Sequence, residues 1–579
     1  MMNWLKTMFR RHQHLIWATF YFLVMTIIIT WPFSRYMTNS VVGSIGDNIY
    51  FIWLIKWFQK ALFELHVSPL FVPFLNYPQG WYLAFTDITP VMVLSGLPAS
   101  LLGGATFGYN FSMLASFVLS GLGMYIWVRK LTGSSAAGII SGTAYAFLPY
   151  RMAHFLIGHL NLSGTQWFPF YFMGLTDLIQ MKKFSWTPIL LTSVSLGLIG
   201  LTSIHYLFMT LLISVVYLIG ALILINRRLI RGRRFWKSLA LTLLCSAPLL
   251  FVGIYPFLQI NRLGAMPSRT LSYVSQFSAS PTDFLLPSTQ HFLFGQWVGN
   301  HFDRSMWIEA TLYLGIVVCA LALIAFIAQK KHPQNGLVNL FIWGAFFAFV
   351  FALGTDLHWL GHPMGIPENI RQWLSRTDQI IPLPGYLLFK FLPFYAKMRV
   401  WMRFGIFVMV FADVLAGIGA AWLLSKVQTP WKNVLALGLL LLVIFDFYPA
   451  PMKEYSRVES RPIDAWLSEQ PGNGAVVQFP FQLVEDQDQV YYTLSYNKPF
   501  LGGFFNAFPP EQYQRIKPIL MNFPNQESVD LLKELGVQYV LVDSSYYPDI
   551  NQTRGNIEKL GLRLLTVIDS EYAFELMAK

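Results

Sequence analysis

Asp47 lies in a short polar break, Gly43-Ser44-Ile45-Gly46-Asp47-Asn48, directly after the first long apolar segment of a chain poor in acidic residues. A carboxylate at the outer edge of a bilayer can take a proton from an incoming hydroxyl, the general-base step of an inverting sugar transfer. Asp also favours a helix N-terminus. A helix is expected from Asn48 onward, so cap and base stand as equal readings that one carboxylate can combine. Asp87, in Phe85-Thr86-Asp87-Ile88-Thr89-Pro90, is a second candidate carboxylate, although Thr or Asp before a helix is also an ordinary start signal.

His154 and His159, with Arg151 and Asn161, form a polar cluster in segment 150–161. His154 reads as an imidazole that solvates a loop. Gly158-His159-Leu160-Asn161 directly precedes an apolar run and is held at its edge, which makes His159 a catalytic candidate and Arg151 and Asn161 donor-binding candidates. Arg399 and Arg403 stand at i, i+4 in Lys397-Met398-Arg399-Val400-Trp401-Met402-Arg403-Phe404. On one helical face they would form a fork for a phosphate; the alternative is snorkelling toward lipid headgroups. Asp283, His291, Asp303 and Glu309 are further acceptor-site candidates, and His205 reads as a kink residue. Asp486-Gln487-Asp488 has the form of a metal-binding D-x-D, but no Gly-rich nucleotide fold surrounds it, so it reads as an exposed acidic turn. The two cysteines, Cys245 and Cys319, sit in apolar runs and can build neither a disulfide framework nor a metal site. No cofactor is expected, and a divalent metal has no supporting motif.

The elements that must position these residues are membrane spans. The 579-residue chain is 55% hydrophobic and only 12% charged, with a mean hydropathy of +0.48. A soluble protein carries about 25% charged residues. The apolar residues come in runs of about 20, the length that crosses a hydrocarbon core. The net charge of +12 comes from short loops: Lys6/Arg10/Arg11, Arg129/Lys130, Lys182/Lys183, Arg227/Arg228/Arg231/Arg233/Arg234, Lys330/Lys331 and Lys426/Lys432. That pattern reports topology and not a nucleic-acid partner.

Spans are expected at about 14–33, 109–128, 135–149, 162–180, 187–203, 205–226, 237–258, 308–329, 337–354, 404–425 and 433–449. The apolar stretch 88–104 is read as juxtamembrane or re-entrant, because counting it as a span would turn every later basic loop outward. About eleven spans from a cytoplasmic N-terminus then leave the C-terminus outside. The first apolar segment is too long, and lacks a cleavage site, to be a removed signal peptide. The first outer loop, 34–108, holds an aromatic helix at about 48–64. Its narrow polar strip of Lys56, Lys60 and Glu64 suits a helix lying in the membrane interface. Composition then divides the chain into a transmembrane domain, 1–449, and a C-terminal extracytoplasmic α/β domain, 450–579. In the latter, strands are expected at 474–479 and 537–542 and a helix at 528–535, stopped by Gly536.

Across nearly the whole chain the sequence resembles bacterial GT-C-type polytopic membrane glycosyltransferases, the group that includes protein O-mannosyltransferases and the aminoarabinose transferase. The resemblance is carried by Gly46-Asp47, by Tyr145-Ala146-Phe147-Leu148-Pro149-Tyr150-Arg151 with Gly158-His159-Leu160-Asn161, and by Met398-Arg399 through Arg403-Phe404. Lys498-Pro499-Phe500-Leu501-Gly502-Gly503 and Leu535-Gly536-Val537-Gln538-Tyr539-Val540 carry it in the C-terminal domain. It implies a GT-C-like helical fold, a polyprenyl-phosphate sugar donor, and chemistry on the outer face of the cell membrane. Asp47 matches the first-loop catalytic acid, and the acceptor would be a glycan, lipid or protein. Where several relatives carry a second-loop acid, this chain offers His159 and Asn161. Two other readings stay open: a transporter or flippase of a lipid-linked glycan, and a non-catalytic envelope-assembly protein on the same scaffold. Polar residues gather at the outer rim and not at mid-membrane, which favours surface chemistry over translocation.

Overall fold

Each long apolar run becomes a helix close to its expected place. The computed structural model describes residues 2–227, 231–262, 268–303, 305–329, 335–373, 380–392, 394–449, 454–485, 487–503 and 510–576. Arg228, Lys330, Lys331 and Asp486 lie outside the described residues, and with Asp486 goes the D-x-D turn. Helices run over Met2–Ile29, Ala105–Thr132, Ser135–Ala146, Trp167–Gln180, Trp186–Thr202, Ile204–Leu224, Arg233–Arg262, Ile316–Ala328, Asn335–Ala352, Gly405–Ser425 and Trp431–Phe447. Among the described residues, 4 helices are long and apolar enough to cross a membrane: Ala105–Thr132, Ile204–Leu224, Arg233–Arg262 and Met402–Ser425. Shorter apolar helices include Pro90–Gly103, Trp186–Thr202 and Ile316–Ala328. A break at Ser203 separates Trp186–Thr202 from Ile204–Leu224, and His205 is the second residue of the latter helix.

The chain divides into two units. One comprises Met1–Arg35, Met113–Leu258 and Met266–Lys453 and is built from helices. Its central element is Gly405–Ser425, apolar but for the buried Asp413 and buried along most of its length, as a mostly apolar helix inside a bundle must be. It packs against Ser135–Ala146, Ile316–Ala328 and Asn335–Ala352. Close approach is set by Gly419, where a Cβ would meet the Leu321 carbonyl oxygen at 1.9 Å. Small residues at such crossings let helices approach to backbone contact. Phe411 of the central helix stacks on Tyr217 at 5.7 Å and meets Phe172 at 4.9 Å.

The other unit comprises Tyr36–Ser112, Gln259–Ala265 and Glu454–Lys579. The sequence places segment 34–108 with the transmembrane domain, but most of it groups with the C-terminal region. Backbone pairing is the reason. Strand Ser40–Val42 pairs antiparallel with Tyr455–Arg457. Asn76 and Tyr77 donate to the Gly502 and Phe500 carbonyls, and Phe500 donates to Phe74. The C-terminal sheet holds strand Ala475–Phe479 parallel to Val537–Asp543, which is followed by Glu571–Leu576 and then Leu562–Ile568, both antiparallel. Helix Gln526–Glu534 precedes the second strand and ends before Gly536, which takes φ 72°. The α/β expectation for this region agrees with these elements.

The helix expected at the membrane interface is corrected by burial. Asp47–Gln59 buries Asn48 through Ile55 together with Trp57 and Phe58, packed against Pro90–Gly103 and Gln487–Tyr496 of the same unit. Aromatic and aliphatic side chains cover every face of it, and a helix apolar all round is a core element. Lys60, beyond its end, reaches Asn497 Oδ1 at 2.8 Å.

Candidate active site

Asp47 is the first residue of its helix and is half-buried; Gly46 occupies the cap position. Closure of the helix start falls to Asn48, whose Oδ1 accepts from the Gly46 amide at 3.0 Å while its Nδ2 donates to the Ser44 carbonyl at 2.9 Å. The cap role read for Asp47 therefore belongs to its neighbour. The Asp47 carboxylate accepts from Gln487 Nε2 at 3.2 Å and lies in the first turn, where the helix dipole favours negative charge. On the next residues of the helix, Tyr50 is buried and its hydroxyl meets Thr86 Oγ1 at 2.5 Å. Thr86 in turn donates to the Leu83 carbonyl, so the phenol is the donor in that pair. Burial pushes the Tyr50 phenol well up, and the negative charges of Asp87 and Asp47 push it further. Both carboxylates singled out in the sequence thus act electrostatically on one buried phenol. Asp87 is not the cap of Pro90–Gly103 either: Thr89 holds that position with a left-handed backbone, φ 42°.

In the helical unit, a second polar cluster forms around Glu309. This residue sits in the irregular segment before Ile316–Ala328 and is 6% exposed. Arg403 Nε donates to both Glu309 oxygens at 3.1 and 3.0 Å, and Nη2 donates to Oε1 at 2.5 Å. Burial alone would raise the Glu309 carboxyl. The Arg403 guanidinium, seconded by His154, outweighs it and holds the group down at about 2. His154 is fully buried in the short helix Pro149–Ile157, with its Nε2 4.0 Å from Glu309 Oε2. Its Nδ1 lies 2.8 Å from Nδ1 of His159. Burial drives the His154 imidazole well below the usual histidine range despite Glu309. Tyr150 packs edge-on against His154 at 4.4 Å and shares a hydrogen bond of 2.9 Å with Tyr206.

Gly158 makes the two imidazoles meet. At φ 83° it ends the helix, with Gly158 N bonded to Phe155 O and His159 N bonded to His154 O. This is a Schellman reversal, which glycine adopts without steric cost and which folds the residue after it back over the last turn. His159 emerges half-buried, and Asn161 follows in the buried turn Leu160–Ser163.

Several expectations change. Arg399 and Arg403 do not form an i, i+4 fork, because residues 398–401 are not helical and Met402–Phe404 is a single 3-10 turn. Arg403 is buried against Glu309. Arg399 is exposed, 5.1 Å over the Phe277 ring, with Nη1 3.5 Å from the Tyr273 hydroxyl. Arg151, read as donor-binding, has 0% exposure. It donates to the Ala146 and Ser163 carbonyls and to Ser116 Oγ, and lies 4.4 Å over Phe117. A guanidinium so enclosed anchors the chain and does not fit a ligand-phosphate role. Asp283 closes a turn through the Ser280 amide, His291 Nδ1 accepts from the Leu293 and Phe294 amides, and Asp303 accepts from Ser305. His154, expected to solvate a loop, is as fully buried as Arg151. The missed signal was an acid at the edge of one apolar run and an arginine at the edge of another, charges that must pair if both are buried. Among the described residues no group of three or more His, Cys, Asp or Glu could hold a metal ion.

Residues 39–377 match the family described as "Domain of unknown function (DUF6311)". No curated protein matches the chain. Among solved structures, arabinofuranosyltransferase AftD from Mycobacteria superposes with a TM-score of 0.57 at 13% identity, covering 98% of this chain and 42% of that one. The Archaeoglobus fulgidus oligosaccharyltransferase gives 0.52 at 12%, covering 93% and 70%. ArnT from Cupriavidus metallidurans, bound to undecaprenyl phosphate, gives 0.48 at 11%, covering 96% and 97%. The chain thus spans less than half the length of the AftD chain. At these identities the likeness to AftD and to the oligosaccharyltransferase is one of fold alone.

Proposed function

The chain belongs to the DUF6311 family, and from that premise we propose that it is a membrane glycosyltransferase moving a sugar from a polyprenyl-phosphate donor to an acceptor on the outer face of the membrane, with inversion. The observation that carries this reading is Asp47. It is a half-buried carboxylate on the first turn of a buried helix, held by Gln487, and its charge, like that of Asp87, is felt by the buried Tyr50 phenol, in a chain of GT-C-like fold. Asp47 would take or orient the acceptor hydroxyl proton as the oxygen attacks the anomeric carbon. Asp87 and His159 would position donor or acceptor. Arg399 would meet the departing phosphate, whose developing charge calls for a fixed cation; Arg403 is left to structure. The basic loops support a cytoplasmic N-terminus and an extracytoplasmic C-terminal region.

The test is to reconstitute native protein and Asp47→Asn in liposomes with a panel of polyprenyl-phosphate sugars and follow donor consumption by mass spectrometry. Native protein is expected to consume at least one donor. The variant should consume none while eluting and melting like the native protein. Activity retained in Asp47→Asn overturns the base assignment, and a native protein inert to every donor overturns the reading.

A further inference from the structure

Between Asp283 and Asp303 the chain carries no Lys, Arg, Asp or Glu. The middle of that stretch, His291-Phe292-Leu293-Phe294, turns around one imidazole: His291 Nδ1 accepts from the Leu293 and Phe294 amides, each at 3.1 Å. Backbone crowding fixes the turn further, since a Cβ on Gly295 would lie 2.3 Å from the Thr289 carbonyl oxygen. The turn feeds the short helix Gly295–His301, whose Val298 is buried and whose Trp297 stacks on His301 at 5.1 Å. Phe292, Leu293, Phe294 and Trp297 nevertheless stay exposed, Leu293 by 55% and Trp297 by 51%. Apolar side chains exposed together and held in place mark a surface that something covers.

The neighbouring helix indicates what covers it. Val443 and Phe447 of Trp431–Phe447 are buried, and that helix packs on Ser135–Ala146. Away from that contact it exposes Val434, Leu437, Leu441, Leu442 and Phe445, a stripe at i, i+3, i+7, i+8 and i+11. Its 17 residues rise about 25 Å, close to the roughly 30 Å of a hydrocarbon core, and the uncharged stripe suits acyl chains. Loop and stripe are continuous. The Phe292 ring meets Phe445 at 5.2 Å and Tyr448 at 5.7 Å, and its amide donates to the Tyr448 carbonyl. This is the end of the helix away from Lys426 and Lys432, the outer end by the positive-inside rule.

We infer that residues 292–297 are a membrane anchor: Phe292, Leu293, Phe294 and Trp297 enter the outer leaflet where headgroups meet acyl chains, and the His291 imidazole fixes the turn that presents them. Aromatic side chains are favoured at that depth, because the ring body leaves water while the indole N–H still reaches the headgroups. With no charge on the segment, entry carries no cost of desolvating an ion. The anchor holds the connection between Arg233–Arg262 and Ile316–Ala328 against the bilayer. It needs only lipid and does not depend on the glycosyltransferase reading.

The test is spin-label accessibility in the full-length protein, reconstituted in phosphatidylcholine–phosphatidylglycerol liposomes. A nitroxide is attached at Leu293→Cys or, separately, at Trp297→Cys, with Cys245→Ser and Cys319→Ser removing the native thiols. Collision with oxygen, which partitions into lipid, is compared with collision with a water-soluble nickel chelate. Asn551→Cys, at an exposed position on helix Ile550–Lys559, is the aqueous reference. Both loop labels should meet oxygen more than nickel, and the reference label the reverse. A loop label that nickel reaches as readily as it reaches position 551 lies in water and overturns the anchor. A label shielded from both reagents is covered by protein, a second copy in this preparation, and overturns it equally. Both loop sites are exposed and are labelled in separate variants, so misfolding of one leaves the other to decide. Adding His291→Ala to the Leu293→Cys variant should raise label mobility and reduce contact with oxygen. Unchanged spectra there overturn the part given to the imidazole.

Discussion

Replacing Arg403 by Met should strip Glu309 of the charge that keeps it ionised inside the helical unit. Glu309 is 6% exposed, and its carboxyl is held at about 2 against an ordinary 4.5. Leaving one partner of a buried pair uncompensated costs on the order of 3–5 kcal/mol, so Arg403→Met and Glu309→Leu should each destabilise by about that amount. The double variant removes both charges and should return to within about 2 kcal/mol of native, because a buried pair contributes little net stability over apolar side chains. The sign with pH follows from the lowered folded pKa: the contribution is fully present above about 4.5 and disappears as pH falls toward about 2. The assay is a double-mutant cycle of detergent-solubilised protein by thermal unfolding at neutral pH, repeated down that acid window. A loss below about 1 kcal/mol in Arg403→Met, the range of an exposed pair, would refute the buried-pair reasoning. So would a double variant as unstable as the two single losses added together.

Two further outcomes can be checked with less. Gly419→Ala should destabilise the helical unit by about 1–3 kcal/mol, since its Cβ would meet the Leu321 carbonyl oxygen at 1.9 Å; an unchanged melting temperature would show that the helices Gly405–Ser425 and Ile316–Ala328 are not in backbone contact. Arg399→Ala, at an exposed site, should leave folding intact and raise the donor KM about tenfold, roughly 1.4 kcal/mol. Unaltered donor binding would return Arg399 to the lipid-facing role that the sequence also allowed.

What the sequence carried well was whatever depends on local pattern. Apolar run length located the helices. The Gly536 stop and the alternation around it located the second strand of the C-terminal sheet and the helix before it. Asp47 and Asp87 were visible because acids are rare and both stand in polar breaks. What escaped was whatever depends on which surface is covered. The lysine strip at 56, 60 and 64 suggested an interfacial helix, but a strip says only that one edge is polar; the core of the unit takes up the aromatic faces. Arg399 and Arg403 have the spacing of a helical fork, yet the backbone there is irregular before a 3-10 turn, and a spacing argument holds only where the helix exists. The largest omission, the Glu309–Arg403 pair, joins residues 94 positions apart, and no window along the chain spans that distance. One global constraint could have found it. In a chain with so few charges, an acid and an arginine bordering apolar runs cannot both be buried alone. The same constraint reaches His154, which is buried beside that pair with its Nε2 4.0 Å from Glu309. The pairing of charges between runs therefore says more about this cluster than the motif that contains it.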